Sequence, residues 1–369
     1  MIQAVREFAQ GEIAPRAQEM DTHAMIPPEI LDGMQQLGLF GVQIAPEYDG
    51  LGIDTPTYTA IIEELSRACA GVAILLSVHC SVAAYPLQTY GSEAQRRRFL
   101  PRLAAGAIGA FSLSEPNAGS DAASLKTSAR REGDTYLLNG TKVFVTNGSL
   151  ADLFLVMART DPEAQPAHRG ISAFLVERGT PGLEMGRQEE KMGLRASDTM
   201  EVFFSDCRVP AANRLGEEGQ GFKIALRSLD NGRIGVGAQA IGIAQAALDE
   251  ALRYARERQQ FGRPLVHFQA IQWKLAEMAT QIEAARLLVR HAAWLKDQQR
   301  PFTGQAAMAK LFASEMSTRV AHQALQIHGG YGYMKEYPVE RYYRDARVTE
   351  IYEGTSEMQR LVIGRGLLG

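Results

Sequence analysis

The residue in this chain best suited to do chemistry is a glutamate set between an aromatic residue and a glycine. It lies in Ile351-Tyr352-Glu353-Gly354-Thr355-Ser356-Glu357-Met358-Gln359-Arg360. A carboxylate in an apolar slot loses its water, and its proton affinity rises. Such a group can act as a base toward a weakly acidic C–H, provided the acidity of the substrate is raised as well. Gly354 lets a ligand approach the backbone closely, and Thr355 adds a short hydroxyl donor. Taken alone, a glutamate beside a glycine is most often a turn or helix-start carboxylate.

Distant segments sharpen the reading. Phe111-Ser112-Leu113-Ser114-Glu115-Pro116-Asn117-Ala118-Gly119-Ser120-Asp121 and Gly140-Thr141-Lys142-Val143-Phe144-Val145-Thr146-Asn147-Gly148 are followed by Arg258-Gln259-Gln260-Phe261-Gly262 and Gln326-Ile327-His328-Gly329-Gly330. With the Glu353 segment, these blocks resemble the acyl-CoA dehydrogenases, in the family's order and spacing, over essentially the whole chain. Desaturating an acyl thioester takes a base for the α-proton, a group that polarises the carbonyl, and an acceptor for the β-hydride. No side chain accepts hydride, so a cofactor is required. A nicotinamide site would show a strand, then GxGxxG, then a helix. Gly232-Arg233-Ile234-Gly235-Val236-Gly237 sits instead at the start of a helical pattern, where close helix packing explains it.

The resemblance implies FAD. Phe111, Leu113, Ser114 and Ser120 match positions lining the isoalloxazine and pyrophosphate, and Phe144, Val145 and Thr146 match the strand behind the ring. Many members have tryptophan where this chain has Phe144, so an aromatic face is kept while the ring environment differs. Arg258, Phe261, Gln269 and Gln326, Ile327, His328, Gly329 and Gly330 match contacts to a flavin held mainly by a neighbouring subunit, which implies a homotetramer built as a dimer of dimers. Arginine can grip phosphate through two parallel hydrogen bonds. Thr355, Ser356 and Glu357 match residues on the flavin side.

By the same resemblance Glu353 is the catalytic base, with its backbone N–H among the donors to the thioester carbonyl. Some members place the base just before the residue matching Arg233; here that position is Gly232, which carries none. Ser120, Asp230, Asn231, Gly232 and Arg233 match the acyl-CoA contact segments, and Gly354 lines the thioester pocket. Gln239 stands where medium-chain members tend to have glycine, and Thr349 is expected one helical turn before Glu353. Both would shorten the acyl pocket, which points to acyl groups of four to six carbons, straight or singly branched. Electrons would pass to an electron-transferring flavoprotein. Two other readings fit the same fold: an oxidase or monooxygenase that reduces O2, and a non-catalytic assembly scaffold.

The elements that must position these residues follow from pattern. The 369 residues are 46% hydrophobic and 22% charged, with a net charge of -3, ordinary for a globular protein with a sizeable core. Neither nucleic acid nor a membrane surface is indicated as a partner. Cys69, Cys80 and Cys207 form no CxxC pair, so buried, reduced thiols are expected and a metal site is not. Met1–Arg6 lacks the basic-then-apolar order of a signal peptide, and a cytoplasmic location is expected. Ala68–Pro86 is nearly uncharged and reads as a buried helix rather than a membrane span.

Three parts are expected: an α-helical domain (1–110), an antiparallel β domain (111–219) and an α-helical bundle (220–369), an α+β multidomain arrangement with a C-terminal four-helix bundle. In the first, Pro28 suits a helix start, and Ser92 with Gln95 reads as a capping box. In the second, Asn139-Gly140 between two β-prone runs predicts a hairpin turn. In the third, Leu275, Met278, Ile282, Ala285, Val289, Ala292 and Leu295 draw one apolar stripe, and a further helix is expected over about 304–327.

Overall fold

The computed structural model describes residues 1–368. Seven helices come first: α1 (Ile2–Phe8), α2 (Ala17–His23), α3 (Pro28–Gln36), α4 (Thr55–Ala68), α5 (Ala70–Val78), α6 (Tyr85–Tyr90) and α7 (Glu93–Ala104). Pro28 opens α3, where its missing N–H costs nothing. Ser92 caps α7, and Gln95 reaches back to the Ser92 N–H, completing the capping box. A π-helical segment, His79–Ala84, joins α5 to α6. The continuous stretch Ala70–Tyr90 is long and apolar enough to cross a membrane, and 94% of its most apolar window is buried inside the protein. It is a core helix by packing: Asn231 donates to the Ser81 carbonyl and Gln239 to the Ala70 carbonyl.

An eight-stranded sheet follows: β1 (Gly109–Ser112), β2 (Ser128–Glu132), β3 (Thr135–Thr146), β4 (Leu153–Arg159), β5 (Ile171–Glu177), β6 (Leu183–Gln188), β7 (Thr199–Pro210) and β8 (Arg214–Leu215). Their order is β6-β7-β3-β2-β4-β5-β8, with β1 paired to β4. The sheet is mixed rather than purely antiparallel, because β1 and β2 both lie parallel to β4. Asn139-Gly140 does not turn a hairpin. β3 runs straight through it, paired with β7, and absorbs the irregularity as a register shift between Leu138 and Gly140. Gly140 has φ +151 and would place a Cβ 2.5 Å from Thr127 Oγ1, so the glycine serves a close approach to the loop before β2. The turn lies at Gly133, φ +61, between β2 and β3.

The last third is helical: α8 (Gly221–Glu257), a small hairpin of β9 (Gln259–Gln260) and β10 (Arg263–Pro264), then α9 (Gln269–Asp297), α10 (Thr303–His328), α11 (Val339–Val348) and α12 (Ser356–Leu368). Gly232–Gly237 lies in the interior of α8, not at its start. On α9, Met278, Ile282, Ala285, Val289, Ala292 and Leu295 are buried as the stripe requires, and Leu275 is partly buried beside them. Cys69, Cys80 and Cys207 are all buried free thiols.

Candidate active site

Glu353 sits in the short connection between α11 and α12, where helix cannot continue. Glu353 has φ 51 and Gly354 φ 95, a left-handed pair that only the glycine adopts without cost. Thr349–Gly354 is therefore a turn, and Thr349 is not one helical turn before Glu353; its buried hydroxyl is spent on the Ala346 carbonyl at 2.7 Å. The turn is held by its own backbone and by side chains. The Ser356 N–H donates to the Glu350 carbonyl at 2.9 Å, while Lys310 Nζ and Gln359 Nε2 both donate to the Gly354 carbonyl at 2.8 Å.

The Glu353 carboxylate is buried, and neither oxygen has a hydrogen-bond partner among the described residues. Burial pushes its pKa up to about 7, against the pull of Lys310 and then Arg233. Space for it is made by α8. A Cβ on Gly232 would lie 1.9 Å from Glu353 Oε2, so a side chain at 232 and the carboxylate cannot share this place. Arg233 is buried and paired with Asp230 at 2.7 Å, and Asp230 also accepts from Thr303 Oγ1 at 2.7 Å. Asp230 is thus no surface acid. Burial raises its pKa, opposed by Thr303, Arg233 and Arg227. Asn231, next in line, donates to the Ser81 carbonyl and leaves its own oxygen unpaired. Gln239 is fully buried; it donates to the Ala70 carbonyl at 2.9 Å and accepts from the Tyr352 hydroxyl, tying α8 to the residue beside Glu353.

A second group gathers where β1 ends against β3. The Val143 N–H donates to the Ser114 carbonyl at 2.9 Å. Lys142, fully buried, reaches the Leu113 carbonyl at 2.9 Å and Glu115 Oε1 at 2.8 Å. Glu115 also accepts from the Lys126 and Thr127 N–H groups. Burial works to raise the Glu115 pKa, and Lys142 with these donors overrides it and leaves the carboxyl low. This strut holds the segment carrying Leu113 and Ser114 against Lys142 and Val143 of β3. Phe144 has φ 58 at a second register shift in β3 and stands 67% exposed. Phe111 is half-buried, and Ser120 is exposed in the loop after β1.

The third group lies at the other end of α8. Arg258, Ile327, His328, Gly329 and Gly330 line one open cavity of about 510 Å³ together with Tyr254, Tyr331 and Met334. His328 stacks on Tyr254 with ring centroids 4.2 Å apart, and the Arg258 guanidinium lies 5.4 Å from the centre of the Tyr331 ring. Gly329 and Gly330 leave open space where a side chain would stand. Phe261 tips the β9–β10 hairpin, 95% exposed with φ 53. Gln269 begins α9, and Gln326 is exposed one residue before the cavity wall. Thr355, Ser356 and Glu357 open α12; Ser356 is buried with its hydroxyl unpaired. No cavity-lining residue belongs to the β1–β3 group, so the residues matched to the flavin ring and those matched to its adenine end form two separate patches on this chain.

Models for the N-terminal, middle and C-terminal domains of acyl-CoA dehydrogenases match residues 1–107, 110–207 and 219–368. The chain belongs to the acyl-CoA dehydrogenase family. It is 50% identical to the mitochondrial short-chain specific acyl-CoA dehydrogenase of Mus musculus, over 99% of this chain and 89% of that protein. It is 49% identical to an NADH-dependent acryloyl-CoA reductase of Anaerotignum propionicum, over 98% and 92%. The structure of butyryl-CoA dehydrogenase from Megasphaera elsdenii superposes with a TM-score of 0.97 at 48% identity, covering 100% of this chain and 97% of that one.

This acyl-CoA dehydrogenase is therefore an FAD-dependent oxidoreductase with the family's three-domain fold. Its residues fit the cofactor. An exposed aromatic at Phe144, the Ser114 and Leu113 backbone and the glycine-walled cavity beside Arg258 offer the apolar face, polar edge and phosphate cradle that a flavin dinucleotide needs. Bound FAD supplies the two-electron acceptor that no side chain provides. Two residues of the site were missed in the sequence, Lys310 and Lys142. Lys310 had one visible signal: a lone cation on the buried stripe Ala306, Ala313, Ser317 of α10.

Proposed function

We propose that this enzyme desaturates short-chain acyl-CoA, of four to six carbons, straight or singly branched, to the trans-2-enoyl-CoA, with Glu353 taking the α-proton. The observation that carries this reading is a buried carboxylate whose oxygens accept no hydrogen bond from the described residues and whose pKa burial pushes up to about 7. A base poised near the working pH has the best compromise between being ionised and being strong. The Glu353 and Gly354 backbone forms a left-handed turn beside it, where an N–H can polarise a thioester carbonyl. The Gln239–Tyr352 hydrogen bond supports the short chain, because opening room there for further methylenes would break it. Asp230 and Arg233 are proposed to lie along the acyl-CoA.

The proposal extends to a homotetramer in the cytoplasm that passes electrons to an electron-transferring flavoprotein. The two separate flavin-matched patches support a cofactor shared between subunits. The likeness to an acryloyl-CoA reductase supports a second reading, the same chemistry run toward saturation. The deciding experiment is anaerobic titration of the yellow protein with butyryl-CoA, followed in the flavin band, beside Glu353→Gln. Bleaching of the wild type alone is expected. Bleaching of both would remove Glu353 as the base, and fast bleaching by octanoyl-CoA with none by butyryl-CoA would overturn the chain length. Peroxide formed in air would identify an oxidase, and enoyl-CoA consumed with NADH the reductive reading.

A further inference from the structure

The Glu353 turn is gripped from α10 by a residue that the matched motifs do not include. Lys310 is fully buried among Ala306, Ala307, Ala309 and Ala313. A lysine is placed there at a cost, since burial disfavours its charge; desolvation lowers its pKa to about 8, with Glu353 the largest influence opposing that fall. Yet Lys310 is in ion-pair contact with no carboxylate among the described residues. Among the described residues its ammonium has one hydrogen bond, to the Gly354 carbonyl at 2.8 Å.

We propose that Lys310 is a positioning residue for the base: its ammonium, anchored on the Gly354 carbonyl, fixes the left-handed Glu353–Gly354 turn and supplies the positive charge that keeps Glu353 ionised without occupying its oxygens. This rests on Glu353 being the base. The anchor matters because an ammonium free to move would pair directly with the carboxylate. A direct pair would lower the affinity of Glu353 for protons and fill the lone pair that must take one from the substrate. Held on the neighbouring carbonyl, the charge acts through space only.

The other groups around Glu353 do not replace it. From α8 comes Arg233, already neutralised by Asp230 at 2.7 Å. From α4 comes Tyr58, whose buried phenol has its own pKa raised by burial, Cys80 and Glu353. Tyr352 beside it is likewise a buried neutral phenol. On the same loop and on α12, Glu350 and Glu357 bear on Lys310 with negative charge, and Glu350 is held by Arg347 at 2.7 Å. Lys310 is thus the cation near Glu353 whose charge no carboxylate in contact cancels. Gln359, the second donor to the Gly354 carbonyl, shares the anchoring and brings no charge.

The test is an infrared pH titration of the FAD-loaded protein without acyl-CoA, reading the protonated-carboxyl band that Glu353→Gln abolishes. In Lys310→Gln the midpoint is expected to rise by about one pH unit or more, the usual effect of removing an opposite charge at close range. Lys310→Arg should stay near wild type, and Gln359→Leu should leave the midpoint in place. With butyryl-CoA, the acid limb of kcat should move up with the infrared midpoint, while KM stays within about twofold; below the midpoint one unit is tenfold in ionised base. Should Lys310→Gln fail to hold flavin, Lys310→Met leaves no unpaired polar group and gives the same readout. An unmoved midpoint in a folded Lys310 variant would overturn the proposal. If Glu353→Gln keeps its turnover, the assignment of the base fails instead, and the infrared midpoint still decides whether Lys310 acts on that carboxyl.

Discussion

Two buried lysines each lie close to a buried glutamate in this molecule, and the two arrangements do opposite things. In the β domain, Lys142 Nζ meets Glu115 Oε1 at 2.8 Å, and two backbone N–H groups complete the carboxylate's shell. In the helical bundle, Lys310 bonds the carbonyl of Gly354, and the oxygens of Glu353 accept no hydrogen bond from the described residues. Both lysines are brought to about 8 by burial. The carboxyls part ways: Glu115 falls below its ordinary value and Glu353 rises to about 7. The residue types and the burial are alike. What differs is how many donors are aimed at the carboxylate, and that number decides whether a buried glutamate is held as a strut or left open to take up a proton, as proposed for Glu353.

The largest effect that sharpens this contrast is on turnover. Glu353→Gln should lower kcat by about 10³-fold or more, in the range a positioned general base contributes, with flavin absorbance unchanged. Lys142→Met should do the reverse. Breaking a buried pair by removing one partner costs about 3–5 kcal/mol, so chemical denaturation should show that loss together with weakened flavin retention. If instead Lys142→Met left stability intact and only slowed the reaction, the two sites would not differ as argued. Gly232→Ala should follow, with about 10²-fold lower kcat, because its Cβ displaces the carboxylate and a misplacement of about 1 Å has that consequence.

Linkage gives the contrast a sign. The folded-state pKa of Glu353 is raised, so its contribution to stability is complete below 4.5 and lost as pH rises through about 7. Glu115 is lowered, so its contribution is present above 4.5 and lost on acidification through its folded pKa. Glu353→Gln should therefore be more stable than wild type at pH 8 in chemical denaturation, by up to about 3 kcal/mol, with the difference vanishing toward pH 4. The smallest effect concerns Gln239, proposed to end the acyl pocket. Gln239→Gly should improve kcat/KM for hexanoyl- and octanoyl-CoA relative to butyryl-CoA, by roughly fourfold for each methylene newly buried, at about 0.8 kcal/mol apiece.

How far the sequence carried these conclusions depends on the reach of the interactions involved. Helix starts and periodic faces are local, and the Ser92–Gln95 capping box, the proline at the head of α3 and the stripe on α9 were legible. Glu353 was legible through its neighbours and through distant matching blocks. Asn139-Gly140 misled because a two-residue turn signal is also what a strand needs where it bulges, and here the partner strand β7 and the close approach of Thr127 decide between the two. The parallel pairing of β1 and β2 with β4 is long-range and leaves no local trace. Lys310 escaped for a related reason. A lysine in an alanine-rich helix reads as a solvated cation until the loop carrying Glu353 is folded onto it.

The 94% burial of the apolar Ala70–Tyr90 stretch has a consequence in time as well as space. Its cover includes α8, which begins at Gly221, about 130 residues later in the chain. At a synthesis rate of about 5–20 residues per second, the most membrane-like segment of the enzyme leaves the ribosome several seconds or more before the helix that shields it exists. During that interval a protein built to work on a thioester must behave as a client of whatever binds exposed apolar helices, and slowing translation between codons 90 and 221 should raise the share of chains that end in aggregates.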